Sequence, residues 1–183
     1  MGLFRKKENR IDKKPTLDEF AEVVSWNPQW DLGAPMPQVF SDGNKTYLIY
    51  LINEPDPNWD GTNITMIDNT SDAEYPLALV EFNGRTFRFG IANEEVFSGL
   101  PISNKGMEWY SAHIIHNSTW IKELKSIHKV HPNYSEDHWK DNKHYMLLFH
   151  DEMIEIVAKD YKVETFKTTF EKLGMEIVKR MNK

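Results

Sequence analysis

"HYMLLFHDEMIEIVAKDY", His144 to Tyr161, alternates like two strands of a buried hairpin, yet it carries His150, Asp151 and Glu155 around its turn. Successive side chains of a strand point to opposite faces of the sheet, so the alternation sorts this segment into two sets. A tight turn at Asp151-Glu152 pairs Phe149 with Ile154, Leu147 with Ile156 and Tyr145 with Ala158, and those six side chains form the core face. The other face carries His144, Met146, Leu148 and His150 opposite Lys159, Val157, Glu155 and Met153. In this register His150 and Glu155 are diagonal neighbours within hydrogen-bonding reach. A carboxylate beside an imidazole fixes its tautomer and strengthens it as a base, which general-base chemistry uses. The competing reading is an ordinary solvated pair at a strand end, the commoner meaning of a short motif.

The segments around this hairpin set the fold class. In "PLALVEFNGRTFRFGI" the Asn83-Gly84 pair is a strong hairpin signal, because both central residues of a type I′ turn need positive φ. Pairing around it puts Ala78, Val80 and Phe82 on one face with Phe87 and Phe89. "KTYLIYLI", Lys45 to Ile52, is apolar on both parities, as for a strand covered on both sides. "MEWYSAHII" reads as another strand, and "ITMID" as a short edge strand. "PTLDEFAEVV" reads as a short helix capped by Thr16, with Phe20, Val23 and Val24 on one side. "NSTWIKELKSIHKVHP" is a helix capped by Asn117 or Ser118, with Trp120, Ile121, Leu124 and Ile127 as its apolar stripe. "NEEVFSGLPISNKG" and "SEDHWKDN" each hold a short helical turn. Phe166, Phe170, Leu173, Ile177, Val178 and Met181 keep helical spacing at the C-terminal end. The Pro- and Gly-rich stretch from Ser25 to Asn44 reads as a loop pinned by Trp26 and Trp30. These elements predict an α+β chain: a mostly antiparallel sheet built from hairpins, with helices packed on it. Both hairpins, 76–91 and 143–159, are expected in one sheet, with the helices at 118–128 and 166–181 on a face of it. Residues 1–14 are charged and expected to be flexible, leaving 15–183 as a single domain.

Composition narrows the function. The chain has 183 residues, of which 40% are hydrophobic, enough for one sizeable core. Lys+Arg number 22 against Asp+Glu 28, a formal net charge of -6 that argues against general nucleic-acid binding. With no cysteine there is no disulfide framework, no thiolate nucleophile and no Cys-ligated zinc. "MGLFRKKENR" lacks the apolar region of a secretory signal, Lys6 stands where a myristoylation motif has Ser or Thr, and no apolar run would span a bilayer. The expectation is a cytoplasmic, bacterial protein without membrane association, for which the Asn-x-Ser/Thr tripeptides are chance patterns.

All seven histidines lie between His113 and His150. His113/His116 and His128/His131 are His-x-x-His pairs, a spacing that can put two imidazoles on one helix face for a metal. A third ligand in register is missing and Pro132 follows His131, so the reading is no metal and no cofactor, with His128 interacting with the carbonyls at the helix end. Trp26, Trp30 and Trp59 either line a groove or pin irregular backbone to the core, and pinning is the commoner use. The "NSTW" helix start offers backbone N–H groups to an anion, as every helix start does. No phosphate-binding glycine loop, nucleophile elbow or dinucleotide fingerprint is present.

"HNSTWIKEL", "IHKVHPNY" and "KHYMLLFHDEMIEIVAKDYKVE", with "LVEFNGRTFRFGIANEEVFSGLPI", resemble a family of uncharacterised bacterial proteins over roughly residues 76–164. Its pattern runs Asn-Ser-x-Trp-Ile, Val-His-Pro, then His-Tyr-x-x-x-Phe-His-Asp-x-x-x-Glu. Asn117, Ser118, Trp120, His131, Pro132, His144, Tyr145, His150, Asp151 and Glu155 match it. The chain departs after Asp151, with Glu-Met-Ile in place of Ser-Thr-Phe, and at Leu100, where the pattern has His. The resemblance implies a location and no reaction. The favoured reading is an accessory protein of regulatory or immunity type that binds a small-molecule ligand or protein partner, with Trp120, Asn117, Ser118, Tyr145 and His144 as ligand-binding candidates. The alternative is a hydrolase using His150, Asp151 and Glu155 with His131.

Overall fold

In the computed structural model, which describes residues 18–55, 60–62, 66–90 and 92–183, the "KTYLIYLI" stretch is a strand buried along its whole length. That strand, β3 (Thr46–Leu51), lies between β2 (Gln38–Ser41) and β4 (Tyr75–Phe82), and β9 (Tyr161–Thr168) completes a four-stranded antiparallel sheet in the order β2-β3-β4-β9. A second antiparallel sheet holds β1 (Phe20–Val24), β6 (Ala112–His116), β7 (Lys143–Leu148), β8 (Met153–Ala158) and β5 (Thr86–Gly90), in the order β1-β6-β7-β8-β5. The chain is α+β, with two sheets where the sequence suggested one.

The two sheets share the largest core. Leu48, Tyr50, Ala78, Val80 and Phe82 of the first meet Tyr145, Leu147, Phe149, Ile154, Ile156 and Ala158 of the second. Trp26 and Trp30 are buried among them, with the Trp30 ring centre 4.8 Å from that of Phe149, so both pin their loop to the core as expected. The opposite parity of β3 and β4, including Tyr47, Ile49, Leu77 and Leu79, packs on helix α2 (Phe170–Met181) through Phe170, Leu173 and Ile177. Burial on both faces explains why β3 shows no polar alternation. On the outer face of the five-stranded sheet, Ile102 and Met107 cover Ala21, Ile115, Met146 and Leu148. Helix α1 (Thr119–His128) buries only Trp120.

Several expectations are corrected. Phe20–Val24 is a strand paired with β6, so tertiary pairing overrides a helical local pattern, while the proposed cap Thr16 lies outside the described residues. Asn83-Gly84 does not close a hairpin, because β4 and β5 belong to different sheets. Asn83 donates its N–H to the Asp160 carbonyl at 3.0 Å and accepts from the Lys159 N–H at 3.1 Å. A Cβ on Gly84 would stand 2.3 Å from the Val157 carbonyl oxygen, so this glycine serves close backbone approach, not positive φ. Phe87 and Phe89, expected in the core with Phe82, are 37% and 43% exposed on the edge strand β5. Phe166 belongs to β9 and not to the last helix, and the two helices lie on different sheets. Residues 1–14, Trp59 and Ile64-Thr65 lie outside the described residues, and Met66–Asp68 form no strand.

The 143–159 hairpin forms, two residues out of the expected register. Tyr145 pairs with Ile156, Leu147 with Ile154 and Met146 with Glu155. A slip of two leaves every side chain on its expected face, since only odd slips exchange faces. It does change which polar residues meet.

Candidate functional site

Strand β6 ends at His116, and Asn117 turns the chain at φ 54 into Ser118, the N-cap of α1. Asn117 tolerates this left-handed conformation better than most residues, and its side-chain amide donates to the Asp18 carbonyl at 3.0 Å. Ser118 Oγ accepts the Ile121 N–H at 3.0 Å and lies 2.9 Å from His144 Nδ1. With the Ile121 N–H occupying a lone pair, the Ser118 hydroxyl proton is free to point at the imidazole.

His144 stands on β7 diagonally across from Glu155 on β8, with Nε2 3.2 Å from Glu155 Oε1. The contact is off the line of an ideal ring N–H bond, because Nε2 lacks a geometrically aligned acceptor. With Glu155 beside Nε2, Nδ1 is the ring nitrogen that faces Ser118. The other carboxylate oxygen of Glu155 lies 3.7 Å from Arg88 Nη1, and Arg88 is directly opposite Glu155 across the β5–β8 ladder. The guanidinium sits 4.2 Å above the Trp120 ring, whose edge meets His144 with centroids 5.1 Å apart. Ser118, His144 and Glu155 are 5%, 3% and 8% exposed.

This cluster borders a cleft. Ser118, His144, Asn117, Lys122, Lys125, Lys140 and Lys143 line a hollow of about 620 Å³ between α1, β6 and the 139–143 segment. A second hollow of about 580 Å³ shares Trp139 and Asn142 with it and is lined by Arg85, Lys159, His128, His131 and His138. Among the described residues no carboxylate lines either one. Glu136 flanks them, 3.1 Å from Lys125 and 3.8 Å from Lys129, and the Lys125 contact holds its carboxyl below the usual range.

The candidates from sequence divide among four places. Glu155 is with His144 and Ser118, not with His150, because the two-residue register shift moves it along the strand. His150 and Asp151 occupy the turn closed by the Phe149 N–H to Glu152 carbonyl bond, with His150 Nδ1 3.0 Å from Asp151 Oδ1 and Nε2 3.7 Å from Glu94 Oε1. The Asp151 carboxylate raises the imidazole pKa above its ordinary value. His131 is exposed in the second hollow, its Nδ1 accepting the Asn133 N–H at 3.1 Å. Tyr145 is in the core between the sheets, where burial pushes its phenol up to about 12. Thus Asn117, Ser118, Trp120, His144 and Glu155 are brought together, and His131, Tyr145 and the His150/Asp151 pair are not. Among the described residues, the one group of three ligating side chains with donor atoms within 4.8 Å of one another is Glu94, His150 and Asp151.

Arg88 and the lysines were missed. Lys122 and Lys125 stand one turn apart on α1, a spacing visible in the sequence, but only the fold shows that Lys140 and Lys143 face the same hollow. Arg88 carries no sequence signal, since its role depends on β5 joining β8. No protein-family model, no curated protein and no solved structure matches this chain, so the site rests on its own geometry.

Proposed function

We propose that this chain is a cytoplasmic accessory protein, of regulatory or immunity type, that binds a small anionic ligand in the cleft beside α1. The supporting observation is the lining: Lys122, Lys125, Lys140 and Lys143 border one hollow with no carboxylate among the described residues of its wall, in a chain of formal net charge -6. Such a chain has more acidic than basic groups to place, so a wall of one sign is a departure from its average surface. Ammonium groups gathered at a concave surface attract phosphate or carboxylate and raise its local concentration. The adjoining hollow extends the same sign through Arg85 and Lys159. Trp139, shared by the two, offers an aromatic edge to an apolar part of the ligand. The overall acidity disfavours a long polyanion such as nucleic acid. Among the described residues no helix is long and apolar enough to cross a membrane.

The test is titration of pyrophosphate into isotope-labelled protein, followed by NMR. Shifts should concentrate at Lys122, Trp139 and Lys140, and Lys122→Glu with Lys140→Glu should weaken binding at least tenfold. Shifts scattered over the surface, or an affinity unchanged by the paired substitution, would refute the assignment.

A further inference from the structure

We propose that Ser118, His144 and Glu155 form a hydrolytic centre at the floor of the α1 cleft, acting on an ester that carries an anionic group. The anionic part of this statement rests on the ligand-binding reading above; the centre itself rests on separate geometry. Four groups are required for such a centre: a nucleophile, a base beside it, a carboxylate on the base, and a donor for the developing oxyanion. Ser118 Oγ lies 2.9 Å from His144 Nδ1, and His144 Nε2 lies 3.2 Å from Glu155 Oε1. Arg88 lies 3.7 Å from the far oxygen of Glu155 and 3.5 Å from Glu123. Although both are buried, Ser118 and His144 border the cleft.

The helix start has one backbone donor open. Of the opening N–H groups of α1, that of Thr119 goes to Glu19 Oε1 at 2.6 Å, that of Ile121 to Ser118 Oγ and that of Lys122 to the Ser118 carbonyl. Among the described residues this leaves the Trp120 N–H, next but one to the nucleophile, as the remaining open backbone donor of the helix start. Asn117 at φ 54 makes the strand-to-helix turn sharp enough to present Ser118 at that point.

In the reaction Ser118 Oγ bonds to the ester carbonyl carbon as its proton passes to His144 Nδ1. The bond from that carbon to the alcohol oxygen then breaks, and the alkoxide takes the proton from His144. Water repeats the sequence on the acyl-serine, releasing the acid and restoring the hydroxyl. Ser118 and His144 touch the reacting atoms; Glu155 is a positioning residue that fixes the imidazole tautomer.

The test uses the full chain and a fluorophosphonate, which a serine attacks with loss of fluoride. Peptide mapping should find one adduct, on Ser118. His144→Ala should slow its formation by about 100-fold or more, the usual scale of a lost general base, and free imidazole should restore part of the rate. Ring nitrogen-15 shifts of His144 should report the Nε2–H tautomer in the parent chain and a mixture in Glu155→Leu, a readout independent of stability. Absence of an adduct on folded parent protein, an adduct elsewhere, or equal rates in His144→Ala would each overturn the centre. Ser118 labelling that a large excess of pyrophosphate does not slow would uphold the centre and overturn the cleft-binding reading.

Discussion

His150 and Phe149 are neighbours with opposite obligations. Phe149 is fully buried and its ring packs on Trp30 and Tyr50, so Phe149→Ala leaves a cavity in the shared core and should cost about 3–5 kcal/mol in a denaturant melt. His150 is a turn residue with about a third of its side chain exposed, and His150→Ala should stay within about 1 kcal/mol of the parent. Its bond to Asp151 gives stability that is present below the ordinary imidazole value of 6.5 and fades as pH rises through the raised value. His113 has the opposite sign. Burial, the main cause, lowers its pKa, and its Nε2 accepts the Glu108 N–H at 3.0 Å. As pH falls below 6.5 the unfolded chain takes up a proton there that the folded chain refuses, so stability is lost. The stability difference between His113→Gln and the parent should therefore shift in favour of the variant on acidification, as read from melting midpoints. A difference that stays constant with pH would mean that His113 takes up its proton equally in the folded and unfolded chain. From sequence these histidines looked alike, since spacing says nothing of burial.

At the scale of elements, legibility followed how local the cause was. The alternation of residues 144–158 carried its own faces, and the cap was narrowed to Asn117 or Ser118, of which the fold uses Ser118, because capping involves residues three apart. Phe20–Val24 was misread because its partner β6 lies some ninety residues away. The Asn-Gly pair was misread because the same dipeptide suits a type I′ turn and a corner between sheets. Gly84 separates the two. In a hairpin, Gly84→Ala would suffer from φ; here the added methyl would meet the Val157 carbonyl and the Ala158 backbone at 2.3 and 2.6 Å. Backbone cannot move aside as a side chain does, so Gly84→Ala should cost at least the roughly 1–3 kcal/mol of an overpacked core. Its urea melt should show that loss even though alanine has ordinary β-region freedom. A neutral Gly84→Ala would argue against the sheet-to-sheet crossing. The Glu155 contact was hidden for a related reason: turn placement sets register, and a shift of two residues gives His144 the carboxylate that sequence reasoning gave His150.

Across the whole molecule, the two helices serve different ends. Helix α2 buries Phe170, Leu173 and Ile177 against the four-stranded sheet, whereas α1 buries Trp120 alone and turns Lys122 and Lys125 to the cleft. Ile177→Ala should cost about 2–5 kcal/mol. At temperatures where the variant is folded it should leave pyrophosphate binding unchanged, because it lies on the other sheet. The cleft depends instead on charge in a chain that is acidic as a whole. Raising ionic strength from about 0.1 M to 1 M shortens the screening length from roughly 10 Å to 3 Å, which weakens attraction by the exposed lysines. The acidic remainder of the surface repels the same ligand and is screened too, so the salt dependence measures which term wins. If the four cleft lysines dominate, calorimetric affinity for pyrophosphate should fall steadily with added salt, and Lys122→Glu with Lys140→Glu should flatten that dependence. An affinity that rises with salt would show that net repulsion governs approach, and the cleft would then have to be assigned to a neutral ligand.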